Sequence, residues 1–432
     1  MATNAVTERL PYGVGRWSGG WYTVVGLSLA VLGLGVYAYS RQLIEGEVVT
    51  GMRNIGTMGG ATWGLYVAFI VYFVGVSFAG ITIAALIRLL HLGHLRPISR
   101  VAELLTVIAL ILGGLSVLVD VGRPFRALIN LPLYGRPMSP FFGTFTLVIS
   151  GYLFASLVYL YLAGRRDAAL CAERSEGALQ KFYRLWAAGY RDTMAERLRH
   201  RRASFWLAIA ILPLLVAAHS TLGFVFGLQV GRPGWFSALQ APGFVILAGV
   251  SGVGHIIIIA AILRRALGVR DQLNMDVFKW LGNFLMVLTI AYVYIVAVEW
   301  LTTTYAANHH EARISTALLT GEYAWLFWLS VGCLLVPFLL LFQQFVAGRY
   351  RLWTIVLSGV LVNLAAIGKR VLIVLPSQTH GTLLPYGTGS YSPTWVEYSV
   401  ILGLLALGAL LYTLFMKVFP IMEIPEHAAG GR

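Results

Sequence analysis

The sequence predicts an all-α fold that crosses a membrane about ten times, and three observations carry that expectation. Hydrophobic residues fill 58% of the 432 positions and charged residues only 12%, more apolar sequence than a water-soluble core can absorb. The apolar residues fall into runs of roughly 20, the length at which a helix spans a ~30 Å hydrocarbon core. The 32 Lys and Arg, which set a formal net charge of +14, sit in short gaps between those runs. They form no stripe interleaved with exposed aromatics, so topology accounts for them better than nucleic-acid binding does. Only two cysteines are present, Cys171 and Cys333, whereas an iron–sulfur cluster generally takes about four thiolates. The chain is expected to carry no cluster of its own.

Taken in order, the first run covers 21–39. It follows a polar tail, 1–20, and lacks a small-residue cleavage site, so it is expected to remain as a membrane helix and not to be removed as a signal peptide. The others cover 63–90, 101–119, 141–162, 205–226, 244–263, 278–298, 325–345, 352–375 and 395–415. Lys and Arg concentrate in both tails and in the gaps after the second, fourth, sixth and eighth runs, which predicts cytoplasmic termini and an inner-membrane, multi-pass protein. The strongest contributor, 165–202, holds ten Lys and Arg and is expected to form an amphipathic helix on the inner leaflet. Glu103, Asp276 and Lys279 open helices on that side and are expected to be solvated ends. Thr394–Glu397, TWVE, has the form of a capping box that opens the tenth run.

A repeat is visible: GVSFAG at Gly75–Gly80 returns as GVSGVG at Gly249–Gly254. The two copies lie four runs apart, in the second and sixth, which cross in the same direction. This predicts two four-helix bundles in parallel repeat, runs two to five and six to nine, with runs one and ten flanking them. The corresponding division is 1–20, 21–59, 60–164, 165–202, 203–235, 236–394 and 395–432.

Ionisable residues inside membrane helices usually serve function, and here they gather near the extracytoplasmic ends. The third run ends in Asp120, followed by Gly122, Arg123 and Pro124; Pro124 disfavours helix at Arg123. In the fifth run His219 lies about seven residues, or ~10 Å, from the outer end. An acid and an imidazole in one bundle suit quinol oxidation or its reverse, because each phenolic hydroxyl needs a proton acceptor. His219 titrates in the right range, Asp120 can take the second proton while Arg123 holds it ionised, and Phe224 and Phe226 offer an apolar wall. Glu299 with Lys369 or Arg370 forms the corresponding set in the second bundle, read as a structural pair or proton relay. His255, near mid-membrane, is a further proton-path candidate or an interhelical bond. A haem clamped between His219 and His255 is disfavoured because their depths differ by more than a turn.

DVGRPFR at Asp120, AHSTLGFVFGLQ at Ala218, RPGW at Arg232, TWGLYVAFIVYFVGVSFAG at Thr62, and KRVLIVLP with YSPTWVE together resemble the NrfD/PsrC family of membrane subunits in its ten-helix form. That resemblance implies a haem-free, quinone-reactive subunit whose site lies near the extracytoplasmic face. It also implies a ferredoxin-like iron–sulfur partner and a catalytic subunit, often of molybdopterin type. Asp120 and His219 match the family's quinone-site positions. Many relatives have a histidine after the PGW turn, where this chain has Phe236. The outer loops 124–140, 230–242, 301–323 and 376–393 are the expected docking face. The alternative, from another functional class, is a secondary transporter or ion-translocating protein, although such proteins often show inverted repeats.

Overall fold

The computed structural model describes residues 10–52, 62–134, 138, 146–306, 308–380 and 389–424. Among these residues fourteen α-helices follow one another: α1 Gly19–Glu45, α2 Leu65–Leu89, α3 Arg96–Asp120, α4 Pro124–Tyr134, α5 Thr146–Glu173, α6 Gly177–Ala187, α7 Met194–Gly227, α8 Gln240–Ala266, α9 Met275–Ala306, α10 His309–Leu319, α11 Ala324–Ala347, α12 Leu352–Val374, α13 Pro376–Thr379 and α14 Trp395–Val418. Ten segments of the described chain are long and apolar enough to cross a membrane, in agreement with the all-α, ten-span expectation. The short helices α4, α10 and α13 lie in gaps that the hydropathy pattern leaves as loops.

Helices α2, α3, α5 and α7 pack into one ring, and α8, α9, α11 and α12 into a second with the same order of neighbours. Outside both, α1 pairs with α14, where Gly35 and Gly403 let the backbones touch. Contact this close between helices depends on small residues, since lipid supplies no hydrophobic drive for association.

One glycine from each repeated motif lies in the seam between the rings, while Gly80 packs on α3 and Gly254 on α12. Gly75 of α2 faces Ala248 and Ser251 of α8, and Gly252 of α8 faces Val76 and Ala79 of α2. A Cβ on Gly252 would stand 2.5 Å from the Ala79 Cβ and 2.7 Å from the Val76 carbonyl oxygen. Gly252→Val is therefore expected to push the bundles apart and lower stability by about 1–3 kcal/mol. A melting temperature equal to the parent's in the same detergent would contradict this.

The basic segment is not one amphipathic helix. Residues 165–173 continue α5, the chain turns at Gly177 (φ 68°), and α6 ends where Ala188, Gly189 and Asp192 all take positive φ. The apolar face of α6 finds protein: Trp186 stacks on Phe419 at 4.5 Å, and the Tyr183 hydroxyl donates to the Val418 carbonyl at 2.6 Å. Glu103 also departs from expectation. The short α2–α3 hairpin swings Arg88 over α3, so Glu103 is fully buried, paired with Arg88 at 3.1 Å and accepting from Ser99 at 3.0 Å.

The largest buried side chain at this pole is Arg100. Its guanidinium pairs with Asp167 at 2.6 Å, donates to the carbonyls of Pro420, Met422 and Ala163, and lies over the Phe419 ring. The Ile424 N–H donates to Asp167 at 3.2 Å. Arg100 and Asp167 thus hold the segment after α14 against the first bundle.

Candidate functional site

At the pole away from these contacts, α3 stops at Asp120 because Gly122 takes φ 71° and Pro124 opens α4. A side chain at Gly122 would meet the Glu47 carboxylate at 2.8 Å. Around this turn Gln42 donates to Glu47 at 3.1 Å and to the Val119 carbonyl at 3.2 Å, while the Tyr66 hydroxyl donates to Gln42 at 2.8 Å. Asp120 is half-buried and lies within electrostatic reach of Tyr66. Arg123 is exposed on the turn itself.

Glu397 ties this corner to α14. It closes the expected capping box with Thr394, and its two oxygens also accept from the Gly51 N–H and the Tyr391 hydroxyl. The Tyr391 oxygen in turn accepts the Leu65 N–H that opens α2, at 2.7 Å. The sequence pattern reads TWVE as a boundary only; the structure makes its carboxylate the buried junction of α1, α2 and α14.

His219 sits deeper, on α7. Its Nδ1 faces the Leu215 carbonyl at 2.9 Å and its Nε2 the Val74 carbonyl of α2 at 2.8 Å. The ring packs edge-on against Phe78 and Tyr152. A neutral imidazole can donate only one of these bonds, and a second proton supplies the other. With both nitrogens occupied by carbonyls, a substrate hydroxyl reaches the imidazole only if the ring turns.

The depth relation to Asp120 follows from α3. Gly113 packs on Val74, and Asp120 lies seven residues further on, ~10 Å nearer the pole. Both residues lie along the N-terminal half of α2, with His219 nearer its middle. No hydrogen bond joins them directly, because both nitrogens of His219 face backbone carbonyls.

Phe224 is 39% exposed and lies five residues from His219, so it points well away from that face of α7. Farther along α7, another group of aromatics packs together. Trp63 stacks on Trp235 at 5.5 Å, and Phe226 sets its edge to Trp235 and leans on Phe244. The RPGW turn positions this group: Gly234 takes φ 78°, its N–H donates to both Glu311 oxygens at 3.0 and 2.9 Å, and the Trp235 indole donates to the Ile373 carbonyl at 2.6 Å. Partial burial pushes the Glu311 carboxyl above its usual range, and the Gly234 bond opposes that shift. The next residue, Phe236, is exposed.

In the second bundle Lys369 and Arg370 diverge. Lys369 lies over the Phe327 ring and within electrostatic reach of Glu299, without closing an ion pair. Arg370 is fully buried in the other direction, 4.2 Å over the Phe244 ring and beside Gly75 of α2. Its Nη1 has no hydrogen-bond partner among the described residues. The cation thus stands next to Val74, whose carbonyl bonds His219. Periodicity places Arg370 on α12 but carries no signal for this reach across the seam.

His255 bonds the Ser251 carbonyl at 3.1 Å and packs against Tyr72, whose hydroxyl donates to Asn363. His219 meets α2 at Val74 and His255 meets it at Tyr72, two residues and roughly 200° away around the helix. Helix α2 therefore stands between the two rings. Among the described residues no three His, Cys, Asp or Glu side chains converge as a metal site. A cavity of about 500 Å³ lies at the opposite pole, near Arg88 and Glu423, and includes none of these residues.

Comparison with known proteins places this geometry in a family context. The model for the family described as Polysulphide reductase, NrfD matches residues 53–380. The chain is 32% identical over 456 residues to a protein of Halobacterium salinarum provisionally named as a membrane subunit of dimethyl sulfoxide reductase, covering 99% of this chain and 98% of that one. It is 25% identical to a selenate reductase subunit of Mesobacillus selenatarsenatis, covering 92% and 94%, and to the Hdr-like menaquinol oxidoreductase integral membrane subunit of Archaeoglobus fulgidus, covering 94% and 95%. A further relative, from Escherichia coli, is provisionally named a Ni/Fe-hydrogenase 2 b-type cytochrome subunit, 25% identical and covering 88% of each chain. The chain is a multi-pass membrane protein that belongs to the NrfD family of oxidoreductase membrane subunits.

Proposed function

We propose that this chain is the quinone-reactive membrane anchor of a respiratory oxidoreductase, exchanging electrons between quinol or quinone near the extracytoplasmic face and an iron–sulfur partner. One observation carries the reading. Asp120 lies at the mouth beside Tyr66 of α2 and, ~10 Å deeper, the His219 imidazole bonds the same helix at Val74.

Oxidation of a quinol releases two electrons and two protons. His219 takes one proton once its ring turns a nitrogen away from a backbone carbonyl toward the quinol, and Asp120 takes the other or passes it to the surface at Arg123. Phe78 and Tyr152, packed edge-on against His219, form the apolar wall, and the prenyl tail leads toward lipid. Among relatives, the name of the Archaeoglobus protein refers to menaquinol, which supports this substrate class.

With two cysteines, and with His219 and His255 divided by α2, the chain works in this proposal without haem or cluster and passes its electrons to a partner. That partner is a ferredoxin-like iron–sulfur subunit docked on the outer face, where α4 and α10 lie. It is followed by a catalytic subunit of molybdopterin type. Both termini are cytoplasmic. His255, Glu299, Lys369 and Arg370 form the candidate proton path through the second bundle.

The test is reconstitution of the chain with its partner subunits in proteoliposomes, supplied with a soluble short-chain quinol or quinone. Turnover with the quinone pool substrate that depends on this chain is the expected result. Dye-linked activity of the catalytic partner with no quinone-linked turnover in either direction would overturn the assignment.

A further inference from the structure

The cavity at the pole that holds the Arg100 contacts belongs to a different site. It opens between the ends of α2, α3, α5 and α7 and has a volume of about 500 Å³, within the range of small-ligand pockets. Six arginines line it, Arg88, Arg96, Arg166, Arg197, Arg201 and Arg202, against two carboxylates, Asp167 and Glu423.

Both carboxylates are already engaged. Asp167 pairs with Arg100 at 2.6 Å and Glu423 with Arg88 at 3.8 Å. Arg166 and Arg197 both face Asp192. Arg96 and Arg202 are exposed and close no ion pair with the described residues. The cavity therefore retains an excess of positive charge after its internal pairs are counted, and His91 and His200 add no negative charge.

The mouth has the opposite character. Phe205 and Trp206 also line the cavity, and they are 39% and 67% exposed where α7 passes from its basic first turns into apolar sequence. Large aromatics beside arginines at a helix end mark the depth of lipid headgroups.

We infer that this cavity binds the phosphodiester headgroup of an anionic phospholipid, with Arg96 and Arg202 as its principal ligands and the acyl chains lying along Phe205 and Trp206. Guanidinium groups fit phosphate through paired N–H donors, and basic pockets between membrane helices on the cytoplasmic side select anionic headgroups. A soluble phosphate would satisfy the arginines but leaves the aromatic mouth without a role.

The full chain is placed in phosphatidylcholine bilayers doped with a small fraction of phosphatidylglycerol brominated on its acyl chains, or with the same fraction of brominated phosphatidylcholine. The Trp206 contribution is the fluorescence difference between the parent and Trp206→Phe. Brominated phosphatidylglycerol should quench Trp206 severalfold more than brominated phosphatidylcholine. Arg96→Gln and Arg202→Gln should each weaken that preference by about 5-fold. Both replace exposed side chains that close no ion pair among the described residues, and an unchanged melting temperature will show that they fold. Equal quenching by the two lipids, or a preference that survives both substitutions together, overturns the proposal. Inorganic phosphate in millimolar excess should leave the quenching unchanged, and displacement by it would transfer the site from lipid to free phosphate.

Discussion

His219→Ala is expected to reduce quinol-linked turnover by about 10²–10⁴-fold, the range associated with losing a positioned acid–base group. Dye-linked activity of the catalytic partner should persist. The substitution removes a ring whose two nitrogens face carbonyls of α2 and α7, so a structural cause has to be separated from a chemical one. His219→Gln does this, because its amide can still donate to the Val74 carbonyl but cannot accept a proton at neutral pH. Turnover should fall in both variants, with the melting temperature largely restored in His219→Gln. Asp120→Asn should act in the same direction, since the amide keeps the shape of the α3 terminus without the charge. Parent-like quinol turnover in His219→Gln and Asp120→Asn would remove both residues from the site.

The second large effect concerns stability. Asp167→Ala leaves Arg100 fully buried without its carboxylate, and breaking a buried pair from one side generally costs about 3–5 kcal/mol. The same change removes the acceptor of the Ile424 N–H, so the segment from Phe419 to Ile424 should come away from the first bundle and become open to proteolysis. Replacing both partners together, Arg100→Met with Asp167→Leu, should recover much of the loss, because no uncompensated charge remains inside. A single variant that melts within a degree of the parent and keeps its C-terminal segment protected would show that the carbonyls of Ala163, Pro420 and Met422 hold Arg100 unaided.

Features set by local chemistry were legible in the sequence. Ten apolar runs predict ten spans because backbone in lipid must bond within its own helix. Gly122 and Pro124 predict the end of α3, and TWVE predicts the cap of α14. Features set by pairing across the fold were not legible. Glu103 reads as a helix-start acid, and only the α2–α3 hairpin brings Arg88 onto it. Arg100 reads as another inside-positive charge, and its burial depends on a segment more than 300 residues away in sequence. Phe224 and Phe226 are equivalent on hydropathy, but the turn at Gly234 sends Trp235 to Phe226. Lys369 and Arg370 are adjacent on α12 and so diverge around it, which sends one toward Glu299 and the other toward α2.

The seam between α2 and α8 departs from twofold symmetry. Small residues meet there, Gly75 against Ala248 and Ser251, Gly252 against Val76 and Ala79, whereas Gly249, the counterpart of Gly75, packs on Leu288 of α9. At corresponding places in the two rings, α7 presents His219 to α2, while α12 presents Lys369 and Arg370. The asymmetry has a consequence for charge: the seam holds the Arg370 guanidinium beside Gly75, next to the residue whose carbonyl bonds the imidazole.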